Sequence, residues 1–98
     1  MVRKSAIVMK PADNVATVVE PVTPESNITV EVSGQQTVIP VTEFIPFAHK
    51  FALKDIEAGQ PIIKYGEIIG IATAGIKKGQ HVHVHNLESC RGRGDKTN

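Results

Sequence analysis

Apolar residues in this chain come in short, β-branched runs that glycine, proline and asparagine break at close intervals. That punctuation leaves little room for anything but strands and turns. Ile28, Val30 and Val32 alternate with Thr29, Glu31 and Ser33, the period-two pattern of a strand with one buried face. Ser33–Gln36 then turns the chain, and Thr37–Val41 returns as its hairpin partner. Upstream, Ser5–Met9 and Val15–Val19 read as strands around the turn signal Asp13-Asn14. Glu20–Asn27 carries Pro21 and Pro24 and is a loop, because proline has no N–H to give a ladder. In the second half, Ile62-Ile63 and Ile68–Ala72 are short strands on either side of Tyr65-Gly66. Phe47–Leu53 is apolar around His49-Lys50, and Val82 and Val84 belong to a last strand. Leu53–Ala58 has room for one helical turn at most. The expected fold is therefore all-β, a compact, many-turned domain over residues 1–88 with a flexible polar tail over 89–98.

One internal echo sharpens this expectation. Asp55-Ile56-Glu57-Ala58-Gly59-Gln60 is answered by Gly75-Ile76-Lys77-Lys78-Gly79-Gln80. Each copy places isoleucine three residues before a Gly-Gln pair and leads into a strand. The glycine supplies a positive-φ turn, so the two copies predict two similar corners.

Size and charge exclude several functions. A chain of 98 residues buries only about 60–65% of its unfolded surface, enough for a modest core but not for a deep, self-contained pocket. The formal charge is +1 and the aromatics are Phe44, Phe47, Phe51 and Tyr65, which gives neither a steering field nor a stacking platform for nucleic acid. Cys90 is the single cysteine, so there is no disulfide framework and no Cys-x-x-Cys metal knuckle. Met1–Pro11 lacks the apolar run of a signal peptide, and no segment approaches a membrane span. A cytoplasmic location is expected.

The chemistry concentrates in His81-Val82-His83-Val84-His85. On a strand the three imidazoles share one face, roughly 6.5–7 Å apart along it, while Val82 and Val84 face the core. Two neighbours can converge on one ion or one anionic ligand, whereas three in one tetrahedral site would need a bend. Solvent-facing histidines are ordinary, but three in register followed by Asn86 point to acid–base work or anion binding. A complete zinc site is a weaker expectation, since no Cys, Asp or Glu stands at ligand spacing. His49-Lys50 is a second candidate: the lysine either snorkels between Phe47 and Phe51 or presents its ammonium to a carboxylate. Arg91 and Arg93 could clamp a carboxylate or dock a partner, and Cys90 has no activating base beside it.

Taken in order, His49-Lys50-Phe51-Ala52-Leu53, Asp55-Ile56, Gly59, Ile63-Lys64-Tyr65-Gly66, Ile69-Gly70 and Gly79-Gln80-His81-Val82-His83-Val84-His85-Asn86 resemble the SAF-type domain of the altronate and galactarate dehydratases. The match is dense from His49 to Asn86 and looser before it, where Asp13-Asn14-Val15-Ala16 is the shared piece. Ala48 departs from the pattern, because relatives often carry glycine there. The resemblance implies a SAF-like β-clip fold and a separate small subunit of a sugar-acid lyase. It implies a large dehydratase subunit as partner, holding most of the catalytic groups and a divalent metal, iron or similar. The reaction implied removes water from a sugar acid to give a 2-keto-3-deoxy acid. His81, His83 and His85 then become catalytic candidates, and His49, Lys50 and Asn86 substrate-binding ones. Alternatives are the small subunit of a sulfolactate sulfo-lyase, which expels sulfite, and a stand-alone carbohydrate-binding module. A self-sufficient metal hydrolase lacks acidic ligands. An isolated chain is open to homo-oligomerisation.

Overall fold

The computed structural model describes residues 3–7, 12–32 and 34–89. Nine strands follow in order: β1 (Arg3–Ile7), β2 (Val15–Val18), β3 (Asn27–Val32), β4 (Gln35–Pro40), β5 (Lys50–Ala52), β6 (Pro61–Lys64), β7 (Glu67–Ala72), β8 (His81–Val82) and β9 (Leu87–Ser89). They form a six-stranded sheet in the order β4-β3-β1-β2-β5-β8 and a three-stranded sheet in the order β6-β7-β9. No helix occurs among the described residues, so Leu53–Ala58 forms a corner instead of a helical turn. The domain is the bent, all-β, multi-sheet architecture expected of a β-clip. Val8 and Met9, Cys90, Arg91, Arg93 and residues 90–98 of the expected tail lie outside the described residues.

The apolar runs are explained by two cores that share a wall. Ala16, Val18 and Phe51 face one cluster with Val22, Ile28, Val30, Ile39, Val41 and Ile45. Val15, Ala52 and Val82 face the other, with Ile56, Ile62, Ala72 and Ile76. Neighbours such as Val15-Ala16 and Phe51-Ala52 point to opposite faces of a strand, so β2 and β5 are buried on both sides and lose the polar alternation of a half-exposed strand.

Four corners of one geometry fold the chain over this wall, two more than the internal echo reveals. Ile56 and Ile76 bridge each other through reciprocal N–H···O=C bonds of 2.8 and 2.7 Å, and Val22 and Ile45 do the same at 2.9 and 2.8 Å. The residue after each bridge residue opens a turn closed three residues on: Ser26 N–H donates to Thr23 O, His49 to Pro46, Gln60 to Glu57 and Gln80 to Lys77. The residue before each donor has positive φ: Glu25 at 69°, Ala48 at 69°, Gly59 at 91° and Gly79 at 89°. This is the type II turn, which favours glycine at that position.

Ala48 thus holds the left-handed backbone that glycine holds at the equivalent place in other corners, so the departure from the family pattern changes strain and leaves the turn in place. An L-residue there is disfavoured by about 1–2 kcal/mol. Ala48→Gly is therefore expected to stabilise the domain by about 1 kcal/mol net of unfolded-chain entropy, read as a raised denaturation midpoint with an unchanged denaturant slope.

Tyr65 and Gly66 join β6 to β7 with φ of 55° and 78°, a two-residue type I′ hairpin. Asp13-Asn14 does more than turn the chain: it grips this hairpin from outside. Asn14 Oδ1 accepts from Ile63 N–H (2.7 Å), its Nδ2 donates to Pro61 O (2.9 Å), and Asp13 Oδ1 accepts from Gly66 N–H (2.8 Å).

Candidate functional site

The last strand differs from its expected course. It pairs only as His81–Val82 and then turns through residues 83–86 before β9 begins. Val82 is fully buried, but Val84 is 79% exposed and packs in neither core. The cause is Asn86, which is 8% exposed and closes the turn with its own side chain. Asn86 Oδ1 accepts from His83 N–H (3.0 Å), Nδ2 donates to His81 O (2.9 Å), and its backbone N–H donates to His83 O (3.0 Å). These side-chain bonds offer the backbone an alternative to the ladder. The bend that three converging imidazoles require is thereby built in.

His49 reaches the cluster because its corner differs from the other two that end in a long polar side chain. At those corners Gln60 and Gln80 fold their Oε1 back onto the N–H of Glu57 and Lys77, at 2.8 and 2.6 Å. Pro46 stands at the equivalent position before His49 and has no N–H to offer. The His49 side chain is free to turn outward, and its Nδ1 meets His81 Nε2 at 2.8 Å. Its ring stacks on His83 with centroids 4.0 Å apart and planes 13° apart. His81 lies 5.0 Å from His49 and 5.7 Å from His83, again nearly parallel. His85 is exposed and tilted, 5.1 Å from His81.

The structure thus unites His49, His81 and His83, with His85 at their margin. Lys50 takes a different place: strand alternation puts it with Ala52 on the face of the second core, while His49 and Phe51 share the other face. Its charge still reaches His81 and His83. Desolvation lowers the His81 pKa to about 4, helped by His85, His49, His83 and Lys50. His83 is lowered first by desolvation, then by His49, Lys50 and His85. Lys50 is itself lowered by desolvation and by Lys64, whose Nζ sits 4.9 Å from the Tyr65 ring centroid. At neutral pH His81 is a neutral imidazole, a base or ligand and not a cation.

The sign of the resulting pH dependence is fixed. An unfolded histidine titrates near 6.5 and His81 near 4, so between these values the unfolded chain binds more protons and stability falls as pH falls. Thermal unfolding of the chelator-treated domain is expected at progressively lower temperature as pH falls across that window. His81→Gln should flatten the dependence.

Two side-chain groups among the described residues have their ligand atoms within 4.8 Å of one another: His49, His81 and His83, and Glu43, His81 and His85. Either set is chemically capable of holding a metal ion. Glu43 is the acidic residue that spacing along the chain does not bring near the histidines. It lies between Val41 and Ile45, in a segment the fold lays alongside Gly79, with Thr42 N–H donating to Gly79 O at 3.2 Å. Nothing local in the sequence marks it. The open concavity between the corners, lined by Asp55, Ile56, Glu57, Ala58, Gly75, Ile76 and Lys77, contains none of the histidines.

The sequence profile of the family described as "Altronate/galactarate dehydratase SAF domain" matches residues 4–90. The chain belongs to this family. The SAF domain is 41% identical over 51 residues to (2R)-sulfolactate sulfo-lyase subunit alpha of Chromohalobacter salexigens, covering 52% of this chain and 54% of that protein. It is 47% identical over 47 residues to the subunit of the same name from Paracoccus pantotrophus, 48% of this chain and 70% of that protein. It is 44% identical over 59 residues to altronate dehydratase of Escherichia coli K12, 60% of this chain but 12% of that protein. The SAF domain thus matches about half the length of the first of these relatives and a small fraction of the dehydratase.

Proposed function

We propose that this chain is the small subunit of a two-component lyase that dehydrates a sugar acid of the altronate or galactarate type to a 2-keto-3-deoxy acid. In this scheme it contributes the histidine cluster to an active site completed by a large subunit. The observation that carries the proposal is the convergence of His49, His81 and His83, with His85 beside them, in a domain of this family.

The elimination takes a proton from the carbon next to a carboxylate and expels the neighbouring hydroxyl. The hydroxyl leaves as water only if it is protonated or held by a Lewis acid, and the electron-rich intermediate needs positive charge near the carboxylate. Imidazoles that are neutral at physiological pH are suited to accept or relay the proton, and His85 stands where a substrate can reach it. Lys50 keeps positive charge close to the cluster. A divalent metal such as iron, held mainly by the large subunit, would supply the Lewis acid. Asn86 orients His81 and His83 through the turn, and any contact it makes with substrate is secondary to that role.

The sulfo-lyase alternative is favoured by one specific observation. The sulfolactate subunits are matched over 54% and 70% of their own length, whereas the altronate dehydratases of E. coli and Bacillus subtilis are matched over 12% and 10%. Both readings predict that the tagged chain, purified gently from its native extract, brings down a large lyase subunit. The complex is expected to turn over a sugar acid and not sulfolactate. Changing both His83 and His85 to alanine should lower turnover by about 10²–10⁴-fold, the usual contribution of acid–base groups. Turnover of sulfolactate alone would transfer the assignment to the sulfo-lyase. A chain that purifies without a partner and binds a sugar would make it a carbohydrate-binding module.

A further inference from the structure

We infer that His49, His81 and His83 form, on this chain by itself, a binding site for one divalent transition-metal ion of the zinc type. The inference stands apart from the lyase proposal, since it concerns an ion resident on this domain whatever reaction the assembly performs.

The donor set selects the class of ion. Three imidazoles and no carboxylate suit zinc, cobalt or nickel and not magnesium or calcium, which require oxygen. Three protein nitrogens also leave a fourth position open, as in exchangeable tetrahedral sites. With metal–nitrogen bonds of about 2.0–2.1 Å, tetrahedral nitrogens lie about 3.4 Å apart. The ligand atoms already fall within 4.8 Å of one another, and the His49–His81 contact of 2.8 Å has only to open slightly.

A second observation points independently to a ligand. His83 Nδ1 is buried with no hydrogen-bond partner among the described residues, and a buried ring nitrogen is costly unless something occupies its lone pair or proton. The carriers of all three rings are fixed before any ion arrives. The Ala48 corner sets His49, pairing with Phe51 sets His81, and Asn86 Oδ1 holds the His83 backbone. The neighbouring group Glu43, His81 and His85 shares His81 with the inner one, so a single ion per chain is expected. With the inner imidazoles engaged, His85 is the histidine left for proton transfer.

The test uses the full 98-residue chain without a histidine tag, stripped with chelator and titrated with Co2+, then with Zn2+ in competition. One equivalent of Co2+ should produce visible d–d absorption of tetrahedral type. Zn2+ should abolish it, and Mg2+ in large excess should leave it unchanged. His83→Ala is expected to weaken binding by more than about 100-fold, beyond the usual loss of an outer-sphere partner. So is His49→Gln, which keeps the backbone N–H that closes the turn on Pro46 O and should keep the corner folded. His85→Ala should change affinity only a few-fold. Absence of saturable one-to-one binding in the folded wild-type chain would overturn the inference. Binding that survives His49→Gln but is lost with His85→Ala would overturn it too, by assigning the ion to Glu43, His81 and His85.

Discussion

Gly79→Ala is expected to remove a large part of the domain's stability, whereas Gly59→Ala costs it only the strain of the turn. The two glycines occupy the same position in equivalent corners, with φ of 89° and 91°. Each alanine therefore meets the same backbone penalty of about 1–2 kcal/mol. Their surroundings differ. A Cβ on Gly59 would meet nothing within 4 Å, but one on Gly79 would collide with the backbone carbonyl oxygen of Pro40. That oxygen belongs to the end of β4 and cannot rotate away as a side chain would. The collision adds the cost of displacing packed backbone, typically 1–3 kcal/mol or more. A total of about 2–5 kcal/mol is a large part of the roughly 5–10 kcal/mol available to a domain of this size. Denaturant unfolding of both variants checks this, and equal losses would show that the β4 contact yields easily. The expected damage reaches the site as well, because Thr42 N–H donates to Gly79 O and Glu43 follows directly.

Those glycines also mark where the sequence is legible and where it is not. Gly59 and Gly79 stand before glutamines in an obvious echo, so two corners can be read from it. The other two have the same hydrogen bonds, but Glu25 and Ala48 replace the glycine, and no residue type announces a left-handed backbone there. The alternation of Ile28 and Val30 with polar neighbours identifies β3 because one face of that strand is solvated. Phe51-Ala52 is harder to place, because cores on both sides remove the alternation. The histidine run reads as a strand beyond Val82 for a different reason. His-Val-His-Val-His is a good strand pattern, and only the side chain of Asn86, three residues after His83, converts it to a turn. Glu43 is not legible in the sequence because the fold, not spacing, brings it to His81 and His85.

Asn86→Ala is expected to disorganise the site more than loss of any single histidine. Two of the three hydrogen bonds that close the turn come from this side chain. Removing it leaves His83 N–H and His81 O to find water or remain unpaired, at about 1–3 kcal/mol if they stay buried. The chain then gains freedom to continue β8 as the alternating pattern prefers. His83 would swing from the stack with His49, and Val84 would compete for the core face. Asn86→Asp separates the two bonds. Its carboxylate still accepts from His83 N–H but faces the His81 carbonyl without a donor, so it should retain the His83 half of the turn. The expected order of stability is wild type, then Asp, then Ala, by denaturant unfolding. The imidazole proton resonances of His49, His81 and His83 should shift together in the alanine variant, because the three rings form one stack. If alanine lowered stability while those resonances kept their positions, Asn86 would be only a structural fastening and the histidines would be held by their own packing.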